Sequence, residues 1–140
     1  MTWVIDASVA AKWFFEEELT DKASAIIQSN RPLIAPDLIF VEVCNVAWKR
    51  VRQHEISRAH AVAVASALPG MFSLITPSAE ILDDALELAL KLDHPVYDCL
   101  YLSLAKVRDV PLVTADAGIT RLAKKKRTGI TVEYLAKVRL

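Results

Sequence analysis

Short runs of branched apolar residues alternate along this chain with longer stretches in which apolar residues recur every third or fourth position. The short runs read as strands and the long ones as helices, and their alternation predicts an α/β protein. Val4 and Ile5 form a strand that stops at Asp6 and passes through Ala7 and Ser8 into an apolar helix ending near Phe15. Glu16, Glu17 and Glu18 then read as a solvated corner. Thr20 is expected to cap a helix reaching Asn30, with Ala23, Ile26 and Ile27 inward. Pro32 and Pro36 bracket a short buried strand, Leu33 to Ala35.

Asp37 is expected to cap a long helix through about Gln53. Its apolar face is Ile39, Phe40, Val43, Val46 and Ala47, while Glu42, Asn45, Lys49 and Arg52 line up as a polar stripe. An alanine-rich helix from Ser57 to about Leu68 ends at Pro69 and Gly70, and Met71 to Thr76 reads as a strand. Pro77 and Ser78 open a helix with Leu82, Ala85, Leu86, Ala89 and Leu92 expected inward. Pro95 suits the first turn of the nearly all-apolar helix that follows. Val110 to Val113 is a buried strand ended by Thr114, with Asp116 in the turn to the next helix. Lys124 to Arg127 close that helix, Gly129 stops it, and Ile130 to Val132 are expected to add an edge strand before a short last helix.

With 140 residues the chain suits one domain, 1–140. Hydrophobic residues make up 54% of it, which excludes a disordered chain. No apolar run has the length of a membrane span, and the N-terminus lacks the features of a signal peptide, so a cytoplasmic protein is expected. Cys44 and Cys99 form no CxxC pair and read as buried thiols of a reducing compartment. Acidic and basic residues balance at 17 each, so nucleic acid can be held only through local patches or metal ions.

Four acids stand out against this background. Asp6 and Asp116 follow strands; Glu42 and Asp98 lie in early turns of apolar helices. Each alone could serve as a cap or dipole partner. In a parallel sheet, however, the carboxyl ends of the strands form the ligand crevice. Four carboxylates converging there need a cation. A hard, oxygen-loving Mg²⁺ or Mn²⁺ fits such ligands, whereas His54, His60, His94 and the cysteines show no zinc spacing. The chemistry open to the site is phosphodiester hydrolysis by metal-activated water. Ser8, Asn45 and Thr114 sit beside the acids and could orient ligands or metal waters.

The segments VIDASVAAKWFFEEE, FVEVCNVAWK, YDCLYLSLA and LVTADAGI resemble, in order, the successive motifs of PIN-domain proteins, specifically the VapC-type toxin ribonucleases of toxin–antitoxin systems. The resemblance implies a three-layer α/β/α sandwich with a short, mostly parallel central sheet. It also implies a Mg²⁺- or Mn²⁺-dependent endoribonuclease, usually homodimeric and silenced by a VapB-like antitoxin. By position it makes Asp6, Glu42, Asp98 and Asp116 the acidic quartet, with Asp6 and Asp98 as direct metal ligands. Ser8, Asn45 and Thr114 match the small polar residues of the motifs. Ala117 and Gly118 follow Asp116 where many relatives carry another acidic or polar residue.

RNA as substrate is implied by the resemblance alone. Lys49, Arg50 and Arg52, and the run beginning Lys124 and Lys125, are candidate phosphate contacts that could equally serve as helix C-terminal charges. Two other function classes compete. One is a PIN-fold module that binds RNA or a peptide without cutting; the other is a metal-dependent phosphatase, disfavoured because no DxDxT motif or phosphate-cradling glycine loop is present.

Overall fold

The apolar triplets at the middle of the sheet have no solvated face, which is what a parallel sheet covered on both sides requires. The computed structural model describes all 140 residues, Met1–Leu140. Its strands are Trp3–Ile5 (β1), Leu33–Pro36 (β2), Leu74–Thr76 (β3), Leu112–Thr114 (β4) and Val132–Tyr134 (β5). They form one sheet in the order β3-β2-β1-β4-β5, with every neighbouring pair parallel. β1, β2 and β4 are buried along their whole length; the edge strands β3 and β5 are not.

Seven α-helices connect them: Ala7–Ala10 (α1), Thr20–Gln28 (α2), Leu38–Arg52 (α3), Arg58–Ala67 (α4), Leu82–Leu92 (α5), Val96–Arg108 (α6) and Ala117–Lys125 (α7). The chain runs from β1 out to β3, then returns to place β4 on the other side of β1. Right-handed crossovers therefore put α1–α4 on one face and α5–α7 on the other, giving the three-layer α/β/α sandwich. α6 lies over β1, β2 and β4, and its residues Cys99 to Ala105 are all buried. The reversal between β1 and β4 is the topological switch point where a crevice opens at the strand carboxyl ends.

Several local expectations are corrected. Thr20 is the first residue of α2 and does not cap it; that place belongs to Leu19 in the left-handed region, φ 68°. The Thr20 hydroxyl instead accepts from the Glu17 amide at 2.9 Å and donates to the Phe15 carbonyl at 3.3 Å. Glu17 is no solvated corner either, since it pairs with Lys12 at 3.2 Å and with Arg50. Asp37 occupies the N-cap position of α3 with helical backbone angles, but its side chain makes no capping bond; its carboxylate accepts instead from the Ser78 amide at 3.0 Å and from the Ser78 hydroxyl. β3 begins at Leu74 after a 3-10 turn over Leu68–Met71, and β5 lies two residues beyond the expected edge strand.

The phase of α5 also differs from expectation. Ile81, Ala85, Leu88 and Leu92 are buried, whereas Leu82 and Leu86 are about half exposed, at 50% and 52%. The inner stripe keeps the spacing of four, three and four that one helix face demands. Leu88, not Leu86, belongs to it.

Candidate active site

β1 delivers Asp6 to the crevice and α1 fixes it there. One oxygen, Oδ1, accepts from the Ser8 hydroxyl at 2.6 Å and from the Val9 amide at 3.2 Å, so Asp6 is also the N-cap of α1. The other, Oδ2, accepts from the Thr114 hydroxyl at the end of β4. Ser8 Oγ in turn accepts from the Ala115 amide at 2.9 Å, and Thr114 Oγ1 from the Asp116 amide at 3.0 Å. These bonds tie the ends of β1 and β4 together across the switch point. A buried carboxylate needs such partners.

The other acids come from three helices. Glu42 lies in the second turn of α3, Asp98 in the first turn of α6, and Asp116 caps α7 by accepting from the Gly118 amide at 2.8 Å and the Ile119 amide at 3.4 Å. Asp6, Ser8, Glu42, Asp98, Tyr101 and Asp116 line one cleft of about 140 Å³. The quartet therefore meets in space, and the capping roles of Asp6 and Asp116 coexist with it. Thr114 reaches the quartet through its bonds to Asp6 and Asp116. Asn45 lies one turn beyond Glu42 and lines an adjoining groove instead.

Two partners of the acids escape the sequence reading. Tyr101 donates its hydroxyl to Glu42 Oε1 at 2.5 Å, and His94 Nε2 lies 2.7 Å from Asp98 Oδ2. Their spacing holds the only available signal: Tyr101 stands three residues after Asp98, and His94 four before it.

Electrostatically the cleft is a site of crowded negative charge. Burial, with Asp98's charge a smaller influence, raises Asp6 to about 6 despite the lowering effect of the Ser8, Thr114 and Val9 hydrogen bonds. Glu42 is raised first by burial and further by Asp98, against the lowering bond from Tyr101. Burial, followed by the charge of Glu42, pushes the Tyr101 phenol far upward, so it remains a hydrogen-bond donor. Burial also pushes the Cys99 thiol up to about 11, which rules it out as a reactive thiolate.

The cleft continues into a larger groove of about 650 Å³ that shares Ala7, Ser8 and Glu42 with it. Lys12, Asn45, Tyr97 and Val41 line this groove. Lys12, only 9% exposed, is a cation the sequence reading did not single out. None of the expected phosphate contacts lines the cleft or the groove. Arg50 is held by Glu17 and, at 2.9 Å, by Glu55; Arg52 stacks on Trp48 at 5.2 Å; Lys49 is exposed. Lys124 and Lys125 are exposed at the opposite end of α7 from Asp116, about 12 Å away along the helix.

The donor set suits a hard divalent ion. No group of three or more His, Cys, Asp or Glu side chains stands placed to hold a metal ion together, so there is no preformed closed cage. Mg²⁺ asks for less, since it is commonly held by one or two carboxylates while keeping waters and room for phosphate oxygens. The upward shift of Asp6 comes first from burial, with the charge of Asp98 the smallest of its causes.

Comparison with known proteins agrees with this architecture. A family model described as PIN domain matches residues 3–125. Ribonuclease VapC3 of Pyrobaculum aerophilum is 33% identical over 118 residues, covering 83% of this chain and 90% of the relative. Among solved structures, PAE2754 from Pyrobaculum aerophilum superposes with a TM-score of 0.68 at 25% identity, over 94% of this chain and 83% of that one. VapBC2 from Rickettsia felis, bound to a DNA fragment from their promoter, shares the fold with a TM-score of 0.69 at 13% identity, over 96% and 98% of the two chains.

Proposed function

The chain belongs to the PIN-domain family, and from that premise we propose that it is a VapC-type endoribonuclease that hydrolyses RNA phosphodiesters at its acidic cleft with Mg²⁺ or Mn²⁺. The observation that carries this reading is the meeting of Asp6, Glu42, Asp98 and Asp116 in one cleft at the β1/β4 switch point. Asp6 and Asp98, with Glu42 and Asp116 beside them, would hold a hydrated divalent ion, which when bound would supply an activated water and positive charge for phosphodiester hydrolysis.

The chain's own residues prepare that chemistry. Ser8, Val9 and Thr114 fix both oxygens of Asp6, and His94 holds Oδ2 of Asp98, leaving Oδ1 without a protein partner. Asp6 and Asp98 are the direct ligands in this reading, with Glu42 and Asp116 completing the quartet. Tyr101 occupies Oε1 of Glu42, leaving Oε2 to take a proton, a task favoured by a carboxyl raised above its ordinary range. Asn45 and Lys12 line the groove through which the RNA strand would enter.

The partners follow the same reading. Val41 and Tyr97, 69% and 61% exposed, give the groove an apolar rim suited to a VapB-like antitoxin segment lying across it. The half-exposed Leu82 and Leu86, with Leu90 on the same side of α5, offer an apolar surface for a homodimer. No helix is long and apolar enough to cross a membrane. A cytoplasmic site of action is part of the proposal.

The test is cleavage of total cellular RNA by the antitoxin-free protein with Mn²⁺, with EDTA and with Asp98→Asn. Discrete cuts bearing 5′-phosphates, lost with EDTA and in the variant, are expected. The absence of a closed metal cage is the one observation favouring a PIN-fold module that binds RNA or a peptide without cutting. Folded protein that neither cuts RNA nor binds Mn²⁺ would establish that second reading.

A further inference from the structure

Six cations without ion-pair partners gather at the far end of the helices that carry the acidic cleft. α6 begins with Asp98 and ends with Lys106 and Arg108; α7 follows Asp116 and ends with Lys124 and Lys125, continued by Lys126 and Arg127. All six cations are exposed. None is in an ion pair: charged contacts are confined to Lys12, Arg50, Glu17 and Glu55 and to the His94–Asp98 pair. Complementing a helix dipole accounts for cations in the last turn. It does not account for Lys126 and Arg127, which lie beyond α7.

The two helix ends also border a common recess. Lys91, Lys106, Ser103 and Thr128 line a cavity of about 430 Å³, with Asp84 and Glu87 on its α5 wall. This volume is in the range of small-ligand sites. Ser103, which lines the recess, is 2% exposed, and no side-chain hydrogen bond engages its hydroxyl. Thr128 follows Arg127 directly, so the basic run leads to the edge of the recess, while Lys91 and Lys106 are the cations that line it. A chain of zero net charge thus gathers unpaired cations beside a polar cavity that shares no residue with the acidic cleft, although Asp84 and Glu87 form part of its wall.

We infer that this recess and its basic rim form a second RNA-binding site, an exosite that holds backbone phosphates of the same RNA molecule presented to the acidic cleft. The inference rests on the ribonuclease reading for the identity of the ligand. It deepens that reading by setting a minimum size of substrate. Asp98 and Lys106, and likewise Asp116 and Lys124, are separated by eight residues of helix, about 12 Å. An RNA that engages both sites must extend over at least about four stacked nucleotides, taking about 3.4 Å for each. Lysine and arginine side chains bind its phosphates, and the Ser103 hydroxyl is available to the sugar or base of one nucleotide seated in the recess, whereas the Thr128 hydroxyl is already spent on the Ala123 carbonyl at 3.1 Å and the Ile130 amide at 3.2 Å. Asp84 and Glu87 repel phosphate and can accept from base N–H groups or a ribose 2′-hydroxyl, which orients the backbone toward the α6 and α7 side.

The test is binding of a fluorescent 30-nucleotide stem-loop RNA by the full-length protein in EDTA, followed by anisotropy over a range of salt. Metal-dependent cutting is suspended there, so a failure of the exosite is separable from a failure of the nuclease reading. The double variant Lys106→Gln/Arg127→Gln changes two exposed side chains outside the acidic cleft. Losing two phosphate contacts is expected to reduce the slope of log affinity against log salt by about 1.4 and to weaken binding about 25-fold near 0.1 M salt. A DNA strand of the same sequence distinguishes phosphate recognition, which binds both, from recognition that uses the 2′-hydroxyl. Unchanged affinity and slope in the folded variant would overturn the inference. So would a variant that keeps RNA but loses a poly-glutamate peptide, because the surface would then be built for an acidic protein partner.

Discussion

Replacing Asp6 by asparagine should stabilise the metal-free protein at neutral pH, because Asp6 carries a charge that burial opposes. The carboxyl is raised from 3.8 to about 6 in the folded protein, first by burial and last by Asp98. At about 1.4 kcal/mol for each tenfold change in proton affinity, the shift corresponds to about 3 kcal/mol of destabilised carboxylate. Between pH 3.8 and about 6 the native state binds more protons than the unfolded chain, so this contribution to stability declines as pH rises. It is fully present below 3.8, where both states are protonated, and gone above about 6. Asparagine is neutral throughout and nearly isosteric. The assay is urea denaturation of both proteins in EDTA from about pH 3.5 to about pH 7.5, taking the difference between them so that the other titrating groups cancel. That difference should grow by about 3 kcal/mol toward neutral pH, or roughly 10 °C in melting temperature. The asparagine amide cannot accept from Thr114 as the carboxylate does, a loss of about 1 kcal/mol that lowers the whole curve without flattening it. A difference that stays level across the range would refute the account of Asp6.

Three further outcomes follow from single contacts. Tyr101→Phe removes the donor to Glu42, so RNA cleavage should fall by at least about tenfold, and the acid limb of the pH–rate profile should move upward because that bond lowers Glu42. A profile that did not move would separate Tyr101 from the chemistry. Gly118→Ala would place a Cβ 3.0 Å from Asp116 Oδ1. Better helix propensity, about 1 kcal/mol, should offset the disturbed cap, so the melting temperature stays nearly constant while Mn²⁺ affinity drops. Leu88→Ala should cost about 2–5 kcal/mol and Leu86→Ala less than about 1, by chemical denaturation, since only Leu88 faces the core. Equal losses would return Leu86 to the inner face.

The central strands and the four acids were legible because each departs sharply from its surroundings. Val4–Ile5 and Leu112–Val113 are apolar runs that stop at polar residues, and Asp98 is a lone acid in a buried helix. Such contrasts survive in one dimension. Partners chosen by rotation or long-range approach do not. Tyr101 finds Glu42 across 59 residues, and Asp37 finds Ser78 across 41, so neither bond has a local signature. α5 misled for another reason: leucines at 82, 86, 88, 90 and 92 populate both faces, and only the packing against α6 selects Leu88 and Leu92. Glu17 and Arg50 looked like ordinary surface charges, yet the turn at Thr20 brings them together. The basic end was visible as a run of four cations, but its continuity with Lys106 and the Ser103 recess depends on how α6 and the segment after α7 are brought together.

The most direct test of the acidic cleft is Mn²⁺ binding by isothermal titration calorimetry near pH 7 to the full-length protein and to Asp6→Asn, Asp98→Asn and Lys106→Gln. The account predicts saturable binding that is lost or strongly weakened in the two aspartate variants and kept in Lys106→Gln. Folded wild-type protein with no saturable Mn²⁺ binding, or binding indifferent to both aspartates, would contradict it.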